Sequence, residues 1–250
     1  MRKLLKIMLL LGLLAVFSAA CNKTAAPAPV KKPPVVTTPS TPSTSSSDSL
    51  TYLALGDSYT IGQSVPLEQN FPNQLRSRLN ETGHPMSGPS IIAATGWTTA
   101  DLKAAIAARN LGEKRYDIVT LLIGVNNQYR GYSPNEYRVQ FTDLLHTAIN
   151  HAKGGKGYVF VLSIPDWGVT PYADGRDREQ IAKEIDQFNA INKEETEKLG
   201  VAYVDITPSS RRAAQDAGLI AGDGLHPSER MYALWVQQLF PLVSAKVQLP

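Results

Sequence analysis

Two short stretches far apart in the chain hold the side chains best suited to attack an electrophilic carbonyl: Gly56-Asp57-Ser58-Tyr59 and Asp223-Gly224-Leu225-His226. A serine hydroxyl is a weak nucleophile near neutral pH. It needs an imidazole within hydrogen-bond reach to take its proton, and usually a carboxylate that fixes the imidazole tautomer. Ser58, His226 and Asp223 supply these groups, and a spacing of three residues brings Asp223 and His226 together without help from a distant loop. The sequence offers such a set once.

The remaining histidines do not compete. His84 lies in a Gly-His-Pro turn, while His146 and His151 fall on an amphipathic stretch after Ser133 and are expected at or near the surface. No His-Glu-x-x-His stretch or cysteine cluster is present, so no metal or other cofactor is expected. Thr60 stands where a Gly-x-Ser-x-Gly nucleophile elbow has its second glycine, which argues against an α/β-hydrolase arrangement. Gly154-Gly155-Lys156-Gly157 lacks the spacing and the hydroxyl residue of a phosphate loop and reads as a turn.

The elements that must position these residues follow from hydropathy patterning. Short apolar runs at Tyr52 to Leu55, Ile91 to Thr95, Ile118 to Ile123, Tyr158 to Leu162 and Val201 to Asp205 alternate with longer amphipathic segments. That alternation predicts five parallel strands with crossover helices, a three-layer α/β/α sandwich. Helix starts are expected at Ser133, followed by Pro134 and Glu136 in a capping-box pattern, at Thr98 with Asp101, and at Thr207 with Pro208; Gly200 is placed to end a helix. Ligands of such sheets bind beyond the carboxyl ends of the strands. Ser58, Gly96 and Asn126, which follow the first three runs, should therefore converge on one rim, with the loop from Ile164 to Tyr172 beside them and Trp167 as a candidate substrate contact.

With Gly56-Asp57-Ser58, Gly96, Gly124-Val125-Asn126 and Asp223-Gly224-Leu225-His226-Pro227 in this order, the chain resembles the SGNH hydrolases, the superfamily of GDSL lipases and esterases. The resemblance spans residues 50 to 250 and implies a flavodoxin-like sheet and ester hydrolysis without a cofactor. It assigns Ser58 as nucleophile, His226 as base, Asp223 as orienter, and the Ser58 amide, the Gly96 amide and the Asn126 side chain as the oxyanion hole. Asn127 stands where many members have aspartate and receives no role. The substrate class stays open among short acyl esters, lysophospholipids or thioesters, and acetylated glycans. A non-catalytic envelope lipoprotein binding glycan or lipid with the same fold is the rival reading; filled catalytic positions favour the enzyme.

The two ends of the charge balance concern location. Formal charge is +3, but without Arg2, Lys3 and Lys6 it falls to 22 basic against 22 acidic residues, and no basic face of the kind nucleic acid requires is evident. Those three cations, the apolar stretch from Ile7 to Phe17 and Ser18-Ala19-Ala20 read as a signal peptide over residues 1 to 20. Cys21, the sole cysteine, follows a small residue in a pattern that resembles the bacterial lipobox, apart from Ser18, which implies a lipid anchor and an envelope location. Residues 22 to 49, rich in Pro, Ser and Thr, cannot bury enough apolar surface to offset their ordering entropy and are expected to form a disordered tether.

Overall fold

A computed structural model describes residues 49–247. The expected signal peptide, Cys21 and nearly all of the expected tether lie outside the described residues. In chain order the main elements are β1 (Tyr52–Asp57), α1 (Ser58–Ile61), α2 (Phe71–Glu81), β2 (Ser90–Ala94), α3 (Thr99–Arg109), β3 (Ile118–Leu122), α4 (Val125–Tyr129), α5 (Pro134–Asn150), β4 (Val159–Leu162), α6 (Arg178–Lys198), β5 (Ala202–Val204), α7 (Thr207–Arg211) and α8 (Glu229–Ser244).

All five strands pair in parallel, in the order β2-β1-β3-β4-β5. The central strands β1, β3 and β4 are buried at every position, as their continuous apolar runs require when helices cover both faces. The edge strands β2 and β5 are only partly buried. Helices α3, α5 and α6 pack on one another in one layer, and α2 and α8 pack together in the other. Behind the carboxyl end of the sheet, Phe71 of α2 meets Tyr232 and Trp235 of α8 at ring separations of 6.4 and 6.2 Å, so the helix that follows His226 is anchored by buried aromatic contacts.

Capping chemistry accounts for most helix boundaries. Thr98 and Asp101 form a reciprocal capping box on α3, Asn70 caps α2, and Gly200, at φ +68°, follows the end of α6. Two expectations need correction. The Ser133 hydroxyl accepts the Asn135 N–H at the start of α5, but Glu136 accepts from Gln140 instead of reaching back to the cap. Thr207 is the first residue of α7 and not its cap; its hydroxyl donates to the Ile164 carbonyl, and its N–H donates to Ser163 Oγ at 3.1 Å and Asp205 Oδ1 at 3.2 Å.

Strand order reverses between β1 and β3, with β2 outside β1, so the crevice of a doubly wound sheet opens beside the ends of β1 and β3. Gly56, one residue before the end of β1, sits level with Ala93 and Leu122. A Cβ there would overlap the Thr60 hydroxyl and lie 2.5 Å from the Leu122 carbonyl oxygen. Only glycine lets the chain turn into α1 so tightly, and that turn delivers the next two residues to the crevice.

Candidate active site

Ser58 is the first residue of α1 and is 4% exposed. It is not the helix cap. Asp57 takes that role: its Oδ1 accepts the Tyr59 N–H at 3.0 Å. Asp57 is wholly buried, its Oδ2 has no hydrogen-bond partner, and burial pushes its carboxyl up to about 7 against the pull of the Tyr59 amide.

His226 and Asp223 meet as their spacing predicts. His226 Nδ1 lies 2.6 Å from Asp223 Oδ2, which leaves Nε2 for other work. The other carboxylate oxygen accepts the backbone N–H groups of Leu225 and His226, each at 3.0 Å, and the Ser64 hydroxyl donates to Oδ2 at 2.7 Å. Partial burial works to raise the Asp223 carboxyl, but bonds from Ser64, the His226 side chain and the two amides outweigh it and hold the group far below the ordinary carboxylate range. Tyr59, next to the serine, lays its ring against His226 with centroids 5.2 Å apart.

Ser58, Gly96, Asn126, Trp167 and His226 line one cleft of about 120 Å³, completed by Val125, Tyr129, Tyr172 and Leu225 among others. Asp223 stands behind His226 and is not part of the lining. Ser58 and His226 share the cleft without a direct hydrogen bond, a spacing common before substrate draws a site together. Gly96 adopts φ +79°, a conformation that a side chain would strain, and its carbonyl is turned outward to the Arg130 guanidinium at 2.6 Å. Asn126 Nδ2 donates to the Trp97 carbonyl at 3.0 Å. Its neighbour Asn127 is fully buried and bonds both the amide and the hydroxyl of Thr99, so it ties α4 to the start of α3.

Trp167 is 3% exposed; its indole N–H donates to Gln128 at 2.7 Å, so it packs the loop and faces the cleft at once. Tyr129 and Tyr172 flank it, their hydroxyls 3.0 Å apart, and the Arg176 guanidinium lies 5.3 to 5.7 Å from all three rings. The Tyr172 N–H donates to the Gly224 carbonyl, which joins this aromatic wall to the loop bearing His226. Tyr172 lies on the loop the sequence placed beside the site, whereas Tyr59, Ser64 and Tyr129 had received no role. Tyr59, adjacent to Ser58, carried the one local signal; the others lie on loops or a short helix without periodicity.

A profile of the GDSL-like Lipase/Acylhydrolase family matches residues 54–234, which span the whole constellation from β1 into α8. The chain belongs to this family. The GDSL-like chain is accordingly a hydrolase, and its fold recurs in solved structures. TesA shares 20% identity over 78% of this chain and 99% of its own, with a TM-score of 0.60. The psychrotrophic esterase EstA from Pseudoalteromonas sp. shares 16% over 78% and 97%, with a TM-score of 0.59. Axe2, an acetylxylan esterase from Geobacillus stearothermophilus, shares 19% over 80% and 95%, with a TM-score of 0.57. At such identities the likeness is one of fold. No curated protein sequence matches this GDSL-like chain.

Proposed function

We propose that this GDSL-like hydrolase is a serine esterase that cleaves short acyl esters through Ser58, His226 and Asp223 and an acyl-enzyme intermediate. The observation that carries this reading is the cleft shared by Ser58, Gly96, Asn126 and His226, with Asp223 engaging Nδ1 of the histidine at 2.6 Å. Nε2 of His226 takes the Ser58 proton as Oγ adds to the ester carbonyl carbon. The tetrahedral oxyanion accepts from the backbone N–H groups of Ser58 and Gly96 and from the Asn126 side chain, whose other amide hydrogen is committed to Trp97. The imidazolium then protonates the departing alcohol oxygen. Water repeats the sequence on the acyl-enzyme, releasing the acid and restoring Ser58.

Cleft size supports a small acyl group. An apolar cavity of about 150 Å³ accommodates a benzene molecule, and this cleft, at about 120 Å³, is somewhat smaller. Val125, Tyr129, Trp167, Tyr172 and Leu225 give it an apolar wall suited to a short acyl chain. Axe2, by its name, acts on acetyl esters of xylan; an acetyl ester is the smallest substrate this reading admits. The signal-like start, Cys21 and the Pro/Ser/Thr-rich stretch support display outside the cytoplasm on a lipid anchor at Cys21, at the end of a tether.

Purified protein should release nitrophenol from nitrophenyl acetate faster than from the decanoate, and Ser58→Ala should abolish the difference from buffer. Equal rates for wild type and Ser58→Ala would overturn the serine mechanism. In cells, Cys21→Ser should move the protein from the membrane to the soluble fraction, and continued membrane attachment would overturn lipidation.

A further inference from the structure

We propose that Ser64 is a positioning residue of this site, a clamp that locks Asp223 so that the carboxylate can hold His226. The proposal rests on the serine-esterase reading above. Ser64 Oγ donates to Asp223 Oδ2 at 2.7 Å, and the same oxygen faces His226 Nδ1 at 2.6 Å. With Leu225 and His226 amides on Oδ1, the carboxylate receives four donors, one from a segment 159 residues away. Asp223 keeps 29% of its side chain exposed. Water could compete there for the lone pair opposite Nδ1, and the Ser64 hydroxyl fills that place with a fixed donor.

The loop backbone has the geometry of a part held under constraint. Ser64 has φ +68°, and Asn110 is the only other non-glycine residue with positive φ among the described residues. Asparagine tolerates this region because its side chain bonds locally, whereas serine is strained in it. Such a conformation persists where surrounding contacts over-determine it. Here the Gln63 N–H donates to the Ser58 carbonyl at 3.0 Å, and Gln63 Oε1 accepts the Thr95 hydroxyl at 2.6 Å. Thr95 directly precedes Gly96 on the opposite wall. Adjacent residues thus reach in opposite directions, Gln63 to the glycine wall and Ser64 to the histidine wall, while their backbone hangs from the nucleophile itself. One short loop sets the separation of the three parts of the cleft.

The chemical effect acts through Asp223 alone. When His226 accepts the serine proton, the imidazolium needs a carboxylate that is ionised and correctly turned. A Ser64 hydrogen bond to the charged oxygen secures both. Ser64 itself is not among the residues that line the cleft.

Ser64→Gly tests this, because glycine accepts φ +68° without strain and removes the hydroxymethyl group that carries the donor. With nitrophenyl acetate, kcat should fall roughly tenfold or more, the scale of a hydrogen bond to a charged group, while KM stays within about twofold and thermal stability is retained. Ser64→Ala, which keeps Cβ, should show the same loss. In an Asp223→Ala background, Ser64→Gly should cause no further loss, since its effect runs through the missing carboxylate. Wild-type kcat in both Ser64 variants, or an equal loss with and without Asp223, would overturn the clamp. Ser58→Ala measured alongside separates the two readings: activity retained there defeats the serine mechanism, whereas an inactive Ser58→Ala with unaffected Ser64 variants defeats only the clamp.

Discussion

Two aspartates, one next to Ser58 in sequence and one bonded to His226, end in opposite states. Asp57 is adjacent to Ser58 in sequence, fully buried, bonded by a single backbone N–H, and pushed up to about 7 by its burial. Asp223 is remote in sequence, keeps part of its side chain exposed, receives four donors, and is held far below the usual carboxylate range because those donors outweigh its burial. Solvation and donor count, not distance along the chain, decide which carboxyl can serve as a fixed negative charge. Asp223 can stabilise an imidazolium; Asp57 caps the helix that presents the serine.

Exchanging each acid for its amide separates these roles most sharply. Asp223→Asn should lower kcat by roughly 10⁴-fold, the scale seen when a triad carboxylate is replaced and the imidazole tautomer is no longer fixed. Asp57→Asn retains an acceptor for the Tyr59 N–H and should stay within about tenfold of wild type. Initial rates on nitrophenyl acetate decide the matter, and a larger loss at Asp57 would reverse the assignment.

The same contrast explains what the sequence could disclose. β1, β3 and β4 are legible because a strand covered on both faces must be apolar throughout, and Asp223 and His226 are legible because their contact is local. Strand ends are less so: β1 runs on through Gly56 and Asp57 because Ala93 and Ala94 of the neighbouring strand pair with them, and nothing in Gly-Asp announces a ladder. Tyr158 ends a short 3₁₀ helix and Val201 precedes β5, each bounded by backbone bonds that side-chain type does not encode. The convergence of Gly96 and Asn126 on Ser58 follows from strand ends, and so was within reach; the link from Ser64 to Asp223 joins a loop to a residue 159 positions on and has no pattern to reveal it. Asn127 had a visible identity without a visible purpose until Thr99 was found against it.

A smaller effect sharpens the comparison through stability. Asp57 has a folded-state value raised from an ordinary 3.8 to about 7. Below pH 4 both folded and unfolded chains hold its proton. Between about pH 4 and 7 the unfolded chain releases that proton while the folded chain keeps it, so this group's contribution declines as pH rises through the window. Asp223 has the reverse sign: its folded value is lowered, so its contribution is present above the ordinary carboxylate value of 3.8 and is lost as pH falls below it. The two windows barely overlap, which lets one substitution isolate one of them. At about 1.4 kcal/mol for each pH unit over which the two states differ by a full proton, Asp57→Asn should gain a few kcal/mol on wild type between pH 4.5 and pH 7.5 in urea unfolding. The subtraction removes the titrations the two proteins share, including that of Asp223. A difference that does not change with pH would mean that Asp57 is ionised inside the fold, and the contrast between the two aspartates would then rest on geometry alone.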